Sequence, residues 1–289
     1  MHPMPASKHA AAQRRGQQGF TLIEAVIVIV LTGISAAIVS VFIVGPVQAY
    51  IASSERVRLV DNADTALRRM GRDLARALPN SVRVTANGQG LELIPTTDAA
   101  RYSTQGSNAL LFGVTDSSFD LVGPGLSLAS GQQLVFYNLG VDVPDANAYA
   151  DNSSAAAQAS SNRRSFSNGP GLATTINLNA LGPLPTGLLS PPYRVYAVSS
   201  PITYRCDLIN KTLVRYQGYG FLATQPDPPS AGSSNLLAKG VAACSFSYNP
   251  ASVAARAALI TLRLTLGTNT DGTGETVSLY HALHVDNLP

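Results

Sequence analysis

Between Phe20 and Val44 the chain reads FTLIEAVIVIVLTGISAAIVSVFIV, an apolar run that carries one charge, Glu24. Wound as a helix at 1.5 Å per residue, it is long enough to cross about 30 Å of hydrocarbon. Arg14 and Arg15 lie just before it, and the positive-inside tendency keeps that end in the cytoplasm. The rest of the chain then follows on the far side, so the sequence predicts a single membrane span. Val47-Gln48-Ala49 offers a small-residue cleavage site and opens a secretory signal reading. The apolar run exceeds the usual h-region of about 7–15 residues, however, and Glu24 sits inside it. A plain membrane anchor explains the length but not the acid. A carboxylate costs about 2.5–3.5 kcal/mol at mid-bilayer, and less near an edge.

Charge placement narrows the function classes. The formal charge is +3, and Lys8, Arg14 and Arg15 are the only Lys or Arg residues before position 20. Beyond them the acidic and basic side chains balance, which leaves no electrostatic footprint for nucleic acid. With 45% apolar and 13% charged residues, the part beyond the span can bury a sizeable core. Only two cysteines occur, Cys206 and Cys244. No CxxC or Cys/His quartet is present, which argues against structural zinc. In an exported domain such a pair reads as one disulfide closing a loop of about 39 residues, with two buried free thiols as the alternative.

The string Gly19-Phe20-Thr21-Leu22-Ile23-Glu24, preceded by a basic leader and opening an apolar span, resembles the type III signal of type IV prepilins and pseudopilins. The resemblance implies that a membrane prepilin peptidase cuts between Gly19 and Phe20 and methylates the new N-terminal Phe20. It makes Glu24, fifth in the mature chain, the assembly residue. The physics agrees. Cleavage creates an amine on Phe20, and a subunit entering a filament can set that cation beside a neighbour's Glu24 in a low-dielectric helix bundle. The alternative is that Glu24 pairs with its own amine, one helical turn away.

Downstream, Gly45-Pro46 is expected to interrupt the helix, because proline removes a backbone donor and clashes with the preceding turn. A second periodic run follows, with Val47, Tyr50, Ile51, Val57, Val60, Leu67, Met70, Leu74 and Leu78 mostly at steps of three and four. Pro79 is expected to end it, giving a kinked helix of about 90 Å if fully helical. Arg56, Arg58, Arg68, Arg69, Arg72 and Arg76 are interleaved with Glu55, Asp61, Asp64 and Asp73, the pattern of a solvated face. Beyond Pro79 the period becomes two. Strands are expected at 81–86, 91–95, 109–114, 133–139, 194–198, 203–208, 211–216, 242–248, 259–267 and 275–285. A tight turn is expected at 209–211, and a hairpin turn with an Asp-Gly signal at 269–274. The Ser/Ala/Asn-rich stretch 140–175 reads as a long surface loop or flexible insertion. The segments 182–192 and 225–234 read as loops.

The strings DNADTALRRMGRDLARALPNSVRV, VAACSFSY and ETVSLYHALHVDNLP resemble the O-type minor pilins of mannose-sensitive haemagglutinin (MSHA) pili. That group is similar to the J-type minor pseudopilins of type II secretion. The resemblance covers the first 85 residues well and the last 90 in part; residues 100–190 match nothing in it. It implies a non-catalytic subunit that initiates, caps or decorates a filament.

No P-loop, HExxH or GxSxG occurs, and no nucleophile–base pair suggests an enzyme. His281 and His284 lie three apart in an expected strand, which sends them to opposite faces. Asp271–Glu275 resembles half a calcium loop without the remaining ligands of an EF-hand. No metal or cofactor is expected.

The sequence therefore predicts an α+β fold, a long kinked N-terminal helix packed on an antiparallel β-rich head. Its expected parts are a cleaved leader (1–19), a transmembrane and assembly helix (20–44), an amphipathic stalk helix (45–79) and a periplasmic head (80–289). The expected partners are prepilin peptidase/methyltransferase, other pilins or pseudopilins and the inner membrane. The competing functions are a type II secretion pseudopilin and, in another class, an anchored periplasmic ligand-binding module in which Glu24 is dispensable.

Overall fold

A computed structural model describes residues 19–253 and 257–289. Of the expected leader only Gly19 falls among them; Lys8, Arg14, Arg15, His2 and His9 lie outside. Helix α1 (Leu22–Leu74) comes first, followed by β1 (Arg83–Val84), β2 (Gly90–Leu93), β3 (Thr96–Tyr102), β4 (Ser118–Val122), β5 (Leu126–Leu128) and β6 (Gln133–Phe136). The short helix α2 (Ala155–Gln158) precedes β7 (Arg163–Arg164), β8 (Gly171–Ala173), β9 (Thr175–Asn177) and β10 (Arg194–Val198). The chain closes with β11 (Ile202–Asp207), β12 (Thr212–Gln217), β13 (Ser233–Lys239), β14 (Val241–Val253), β15 (Ala257–Gly267) and β16 (Thr276–Asp286). Two compact units divide between Ser54 and Glu55, within α1.

Every described residue of the first unit, 19–54, is exposed, including the whole apolar run. The helix passes through Gly45 and Pro46 without a break, contrary to the expected interruption. Proline removes the donor to the Phe42 carbonyl, but an established helix adds one bond per residue, so one missing bond does not end it.

In the second unit α1 turns amphipathic. Leu59, Ala63, Ala66, Leu67, Met70 and Leu74 are buried at helical spacing. They share a core with Leu91, Tyr204, Cys206 and Leu213 of one sheet and with Phe246, Ile260, Leu262 and Leu264 of another. The first sheet has the order β1-β2-β11-β12-β13, the second β14-β15-β16. A third, β7-β6-β10-β3-β4-β9, covers a separate core built on Phe119, Phe136 and Tyr102. The Phe119 and Phe136 rings meet edge-on at 5.8 Å, a favoured aromatic geometry. The described strand pairs are antiparallel. The fold is thus α+β, a long helix with an antiparallel β-rich head.

The helix stops at Leu74, short of Pro79. Its last turn tightens, with Arg76 N–H on the Asp73 carbonyl at 3.2 Å and Ala77 N–H on Leu74 at 3.0 Å. Leu78 then donates to Ile94 at 2.7 Å, so sheet pairing claims these residues before the proline does. Asp73 ties the helix end to the first sheet, accepting from the Tyr204 hydroxyl at 2.6 Å and from Arg215 Nε at 2.9 Å. Nearby, Glu92 is fully buried on Arg83 Nε at 2.6 Å and the Tyr219 hydroxyl at 2.8 Å. Burial pushes its carboxyl up, against the opposing pull of Arg83 and Tyr219.

Two expectations are corrected in the middle of the chain. Residues 109–114 form no strand. Leu111 N–H is taken by the Asp116 carboxylate at 2.9 Å, and Gly113 adopts φ +78° while donating to Leu184 at 2.7 Å. The stretch 140–175, expected as a loop or flexible insertion, instead supplies α2, β7 and β8 and buries Ala148, Tyr149, Gln158, Asn162, Arg163 and Arg164. The two arginines explain how a Ser/Ala/Asn-rich stretch stays packed. The Arg164 guanidinium, fully buried, donates to the carbonyls of Ser161, Arg163, Gln158 and Pro183 at 2.7–2.9 Å. Arg163 donates to Ala148 and Ala150 and lies over the Phe221 ring. Burial pulls both down to about 10, so both stay charged at neutral pH. Buried carbonyls need donors, and these side chains supply them. Arg164→Ala leaves several carbonyls unpaired and lowers stability by about 3 kcal/mol or more, with new protease cleavage within 140–175. Denaturant unfolding and limited proteolysis check this.

Candidate processing and assembly segment

Residues 19–24 join the expected scissile bond to the start of α1. Gly19 and Phe20 precede the helix, and both are exposed. No heavy atom lies within 4 Å of a Cβ placed on Gly19, so among the described residues nothing crowds a side chain there. Thr21 caps the helix: its hydroxyl accepts from Glu24 N–H at 3.3 Å, and its carbonyl accepts from Ala25 N–H at 3.1 Å. Thr21-Leu22-Ile23-Glu24 is thus the Thr-x-x-Glu pattern of a capping box, a helix-start signal that the sequence reading missed. The cap fixes Glu24 in the first turn, where the helix dipole favours an anion. Farther along, the Thr32 hydroxyl donates to the Val28 carbonyl, so this polar group finds its partner within the apolar run.

Cleavage before Phe20 would place a new amine immediately ahead of this cap. The segment would then present a cation and a carboxylate within one helical turn, beside a face of exposed Leu, Ile and Val. In a low-dielectric medium an isolated carboxylate is costly, and a nearby cation offsets part of that cost.

The other expected site residues lie in the second unit. Cys206 on β11 and Cys244 on β14 form a disulfide with Cα atoms 6.5 Å apart, joining two sheets across the helix-packed core. His281 faces α1, 3.9 Å from Asp64, whereas His284 faces outward and is exposed, as odd spacing along a strand requires. Asp271 accepts from the Thr273 amide and hydroxyl, and Glu275 pairs with Arg56. The 268–275 turn closes the expected hairpin, with Gly272 at φ +79°. Among the described residues, no group of three or more His, Cys, Asp or Glu side chains is placed to hold a metal. Two arginines of α1 pair with its own acids at the surface, Arg58 with Glu55 and Arg68 with Asp64.

Residues 14–40 match the family model for the prokaryotic N-terminal methylation motif. Neither the curated proteins nor the solved structures contain a match to this chain. The motif supports membership of the type IV pilin and pseudopilin group. It implies processing by a prepilin peptidase and assembly with other pilins, in a class of proteins that is structural rather than enzymatic. The apolar part of α1 fits the membrane anchor of such proteins by length and composition.

Two measurements follow from this geometry. Mass spectrometry of the mature protein is expected to begin at N-methyl-Phe20, and Gly19→Val to leave the precursor uncut; an N-terminus at Tyr50 would instead support a secretory signal peptide. The cysteines are expected to resist alkylation until reduced. Reduction should lower head stability by about 4 kcal/mol on the chain-entropy model, read by denaturant unfolding with and without reductant.

Proposed function

We propose that this chain is a non-enzymatic minor pilin of a type IV pilus of MSHA type. It is cut after Gly19, methylated on Phe20 and drawn into the filament by pairing of its Phe20 amine and Glu24 with neighbouring subunits. The observation that carries the reading is the methylation motif over residues 14–40, continuous with a 53-residue helix whose later turns are built into a β-rich head. The likeness of VAACSFSY and ETVSLYHALHVDNLP to O-type minor pilins supports the finer assignment. In this reading the precursor sits in the inner membrane with its head in the periplasm, and the processed subunit then joins the pilus. The size of the head suits a subunit that initiates, caps or decorates, since one repeated along a whole shaft is usually smaller.

Glu24 is the test. Glu24→Gln keeps the shape and removes the charge, so insertion, cleavage at Gly19 and head folding are expected to persist. Crosslinks to neighbouring pilins and piliation are expected to fall by orders of magnitude, because breaking one side of a buried pair costs about 3–5 kcal/mol. Moving the acid one place, as Ile23→Glu with Glu24→Gln, is expected to give no rescue, since one residue turns the side chain about 100° around the helix. Wild-type assembly of Glu24→Gln would overturn the charge-pairing mechanism, and a wild-type chain that crosslinks to no pilin would favour an anchored binding module.

A further inference from the structure

The head's strand edges are not equally guarded. The edge strands β1 and β7 are two residues long and β9 three. Strand β13 has a register shift in its pairing with β12 and ends at Lys239. The outer side of β14 is engaged where Phe246 N–H donates to Gly88 and Val241 N–H to Lys211. Strand β16 has none of these protections. It pairs with β15 over eleven residues without a register shift. It contains no proline or lysine, and its one acidic residue is the last, Asp286. Edges of this kind are templates for another strand unless bulges, charges or cover blunt them.

The register identifies which backbone groups are free. Thr268 N–H donates to the Glu275 carbonyl at 2.9 Å, which fixes the alternation of the antiparallel ladder. Val277, Leu279, His281, Leu283 and Val285 turn their N–H and C=O groups toward β15. Thr276, Ser278, Tyr280, Ala282, His284 and Asp286 turn theirs outward. Among the described residues no backbone hydrogen bond reaches that outer side. All six residues are exposed, Tyr280 at 61%. The strand's inner side chains pack against α1 within the same unit, with Leu283 beside Gly71, so one face of the strand is held while, among the described residues, its outer N–H and C=O groups have no backbone partner.

We propose that the outer edge of β16 receives an extended segment of a neighbouring pilin-like subunit, which adds a strand to the β14-β15-β16 sheet. The inference rests on the filament reading above. Six outward N–H/C=O couples at two-residue spacing ask for peptide backbone, and the uncharged outer side chains from Ser278 to Ala282 suit a segment with few charges. Symmetry narrows the occupant. Self-pairing of two antiparallel β16 strands needs a twofold axis across them, an isologous contact. A filament whose subunits all enter from one membrane is polar and has no such axis across its length. The incoming segment is therefore not residues 276–286 of a second copy.

The test uses the full-length protein in cells that assemble its filament. A benzoylphenylalanine photo-crosslinker is placed in turn at Ser278, Tyr280 and Ala282, and crosslinked peptides are identified by mass spectrometry. The three probes are expected to mark successive alternate residues of one segment of a neighbouring subunit. Ala282→Pro removes an N–H that the fold does not use, as edge positions tolerate. It is expected to lower incorporation at least tenfold while cleavage at Gly19 and disulfide formation persist. If it misfolds, the Tyr280→Lys/Ala282→Lys pair decides, because it blocks the edge with charge and leaves the backbone intact. The proposal is overturned if the probes crosslink to nothing in assembled material, or to residues 276–286 of a second copy. Wild-type incorporation of a folded proline or lysine variant would overturn it too. If those variants incorporate normally while Glu24→Gln does not, the edge proposal fails and the filament reading stands. Absence of the wild-type chain from assembled filaments, with no crosslink to any pilin-like subunit, removes the filament reading itself.

Discussion

The head depends on one stripe of α1. Leu59, Ala63, Ala66, Leu67, Met70 and Leu74 give two sheets a common surface to bury, and neither sheet has another helix of comparable length. Each large side chain in the stripe contributes about 1.5–3 kcal/mol by leaving water, and the small Ala63 and Ala66 let the strands approach closely. The Asp73 contacts with Tyr204 and Arg215 then fix where along its axis the helix is held. The Cys206–Cys244 bond holds together the two sheets that the stripe joins. With those three constraints in place, the long β15-β16 hairpin has a back to lean on, and its far edge can be straight and exposed.

The apolar run and the prepilin-type string were legible because both are local: length, hydropathy and a six-residue spacing need no tertiary context. The late strands were legible for a similar reason. They alternate cleanly, and Asp271-Gly272 marks their turn. The stripe on α1 was only partly legible. Leu67, Met70 and Leu74 were read correctly, whereas Val57 and Val60, which fit the same periodicity, are exposed. Periodicity finds a face but does not say where the head begins to cover it.

The middle of the chain was opaque for a physical reason. Composition marked 140–175 as a loop because its residues are small and polar, and such residues seldom bury enough apolar area to stay ordered. What orders it is Arg163 and Arg164, whose donors satisfy carbonyls scattered over residues 148–183. Nothing in a dipeptide of arginines distinguishes a buried clamp from a solvated pair. The capping role of Thr21, by contrast, is legible in Thr-x-x-Glu, a local pattern that overlaps the prepilin-type string.

The arginine clamp also bears on how such a head can change over evolutionary time. A guanidinium that binds main-chain oxygens recognises the path of the backbone and is indifferent to the identity of the residues along it. Exposed positions such as Ser153, Ala155 and Ala156 can therefore be replaced without loosening the anchorage, provided the two arginines and the carbonyl geometry persist. The stretch 140–175 is thus a surface whose outward side chains can change while the buried arginine contacts that hold it persist.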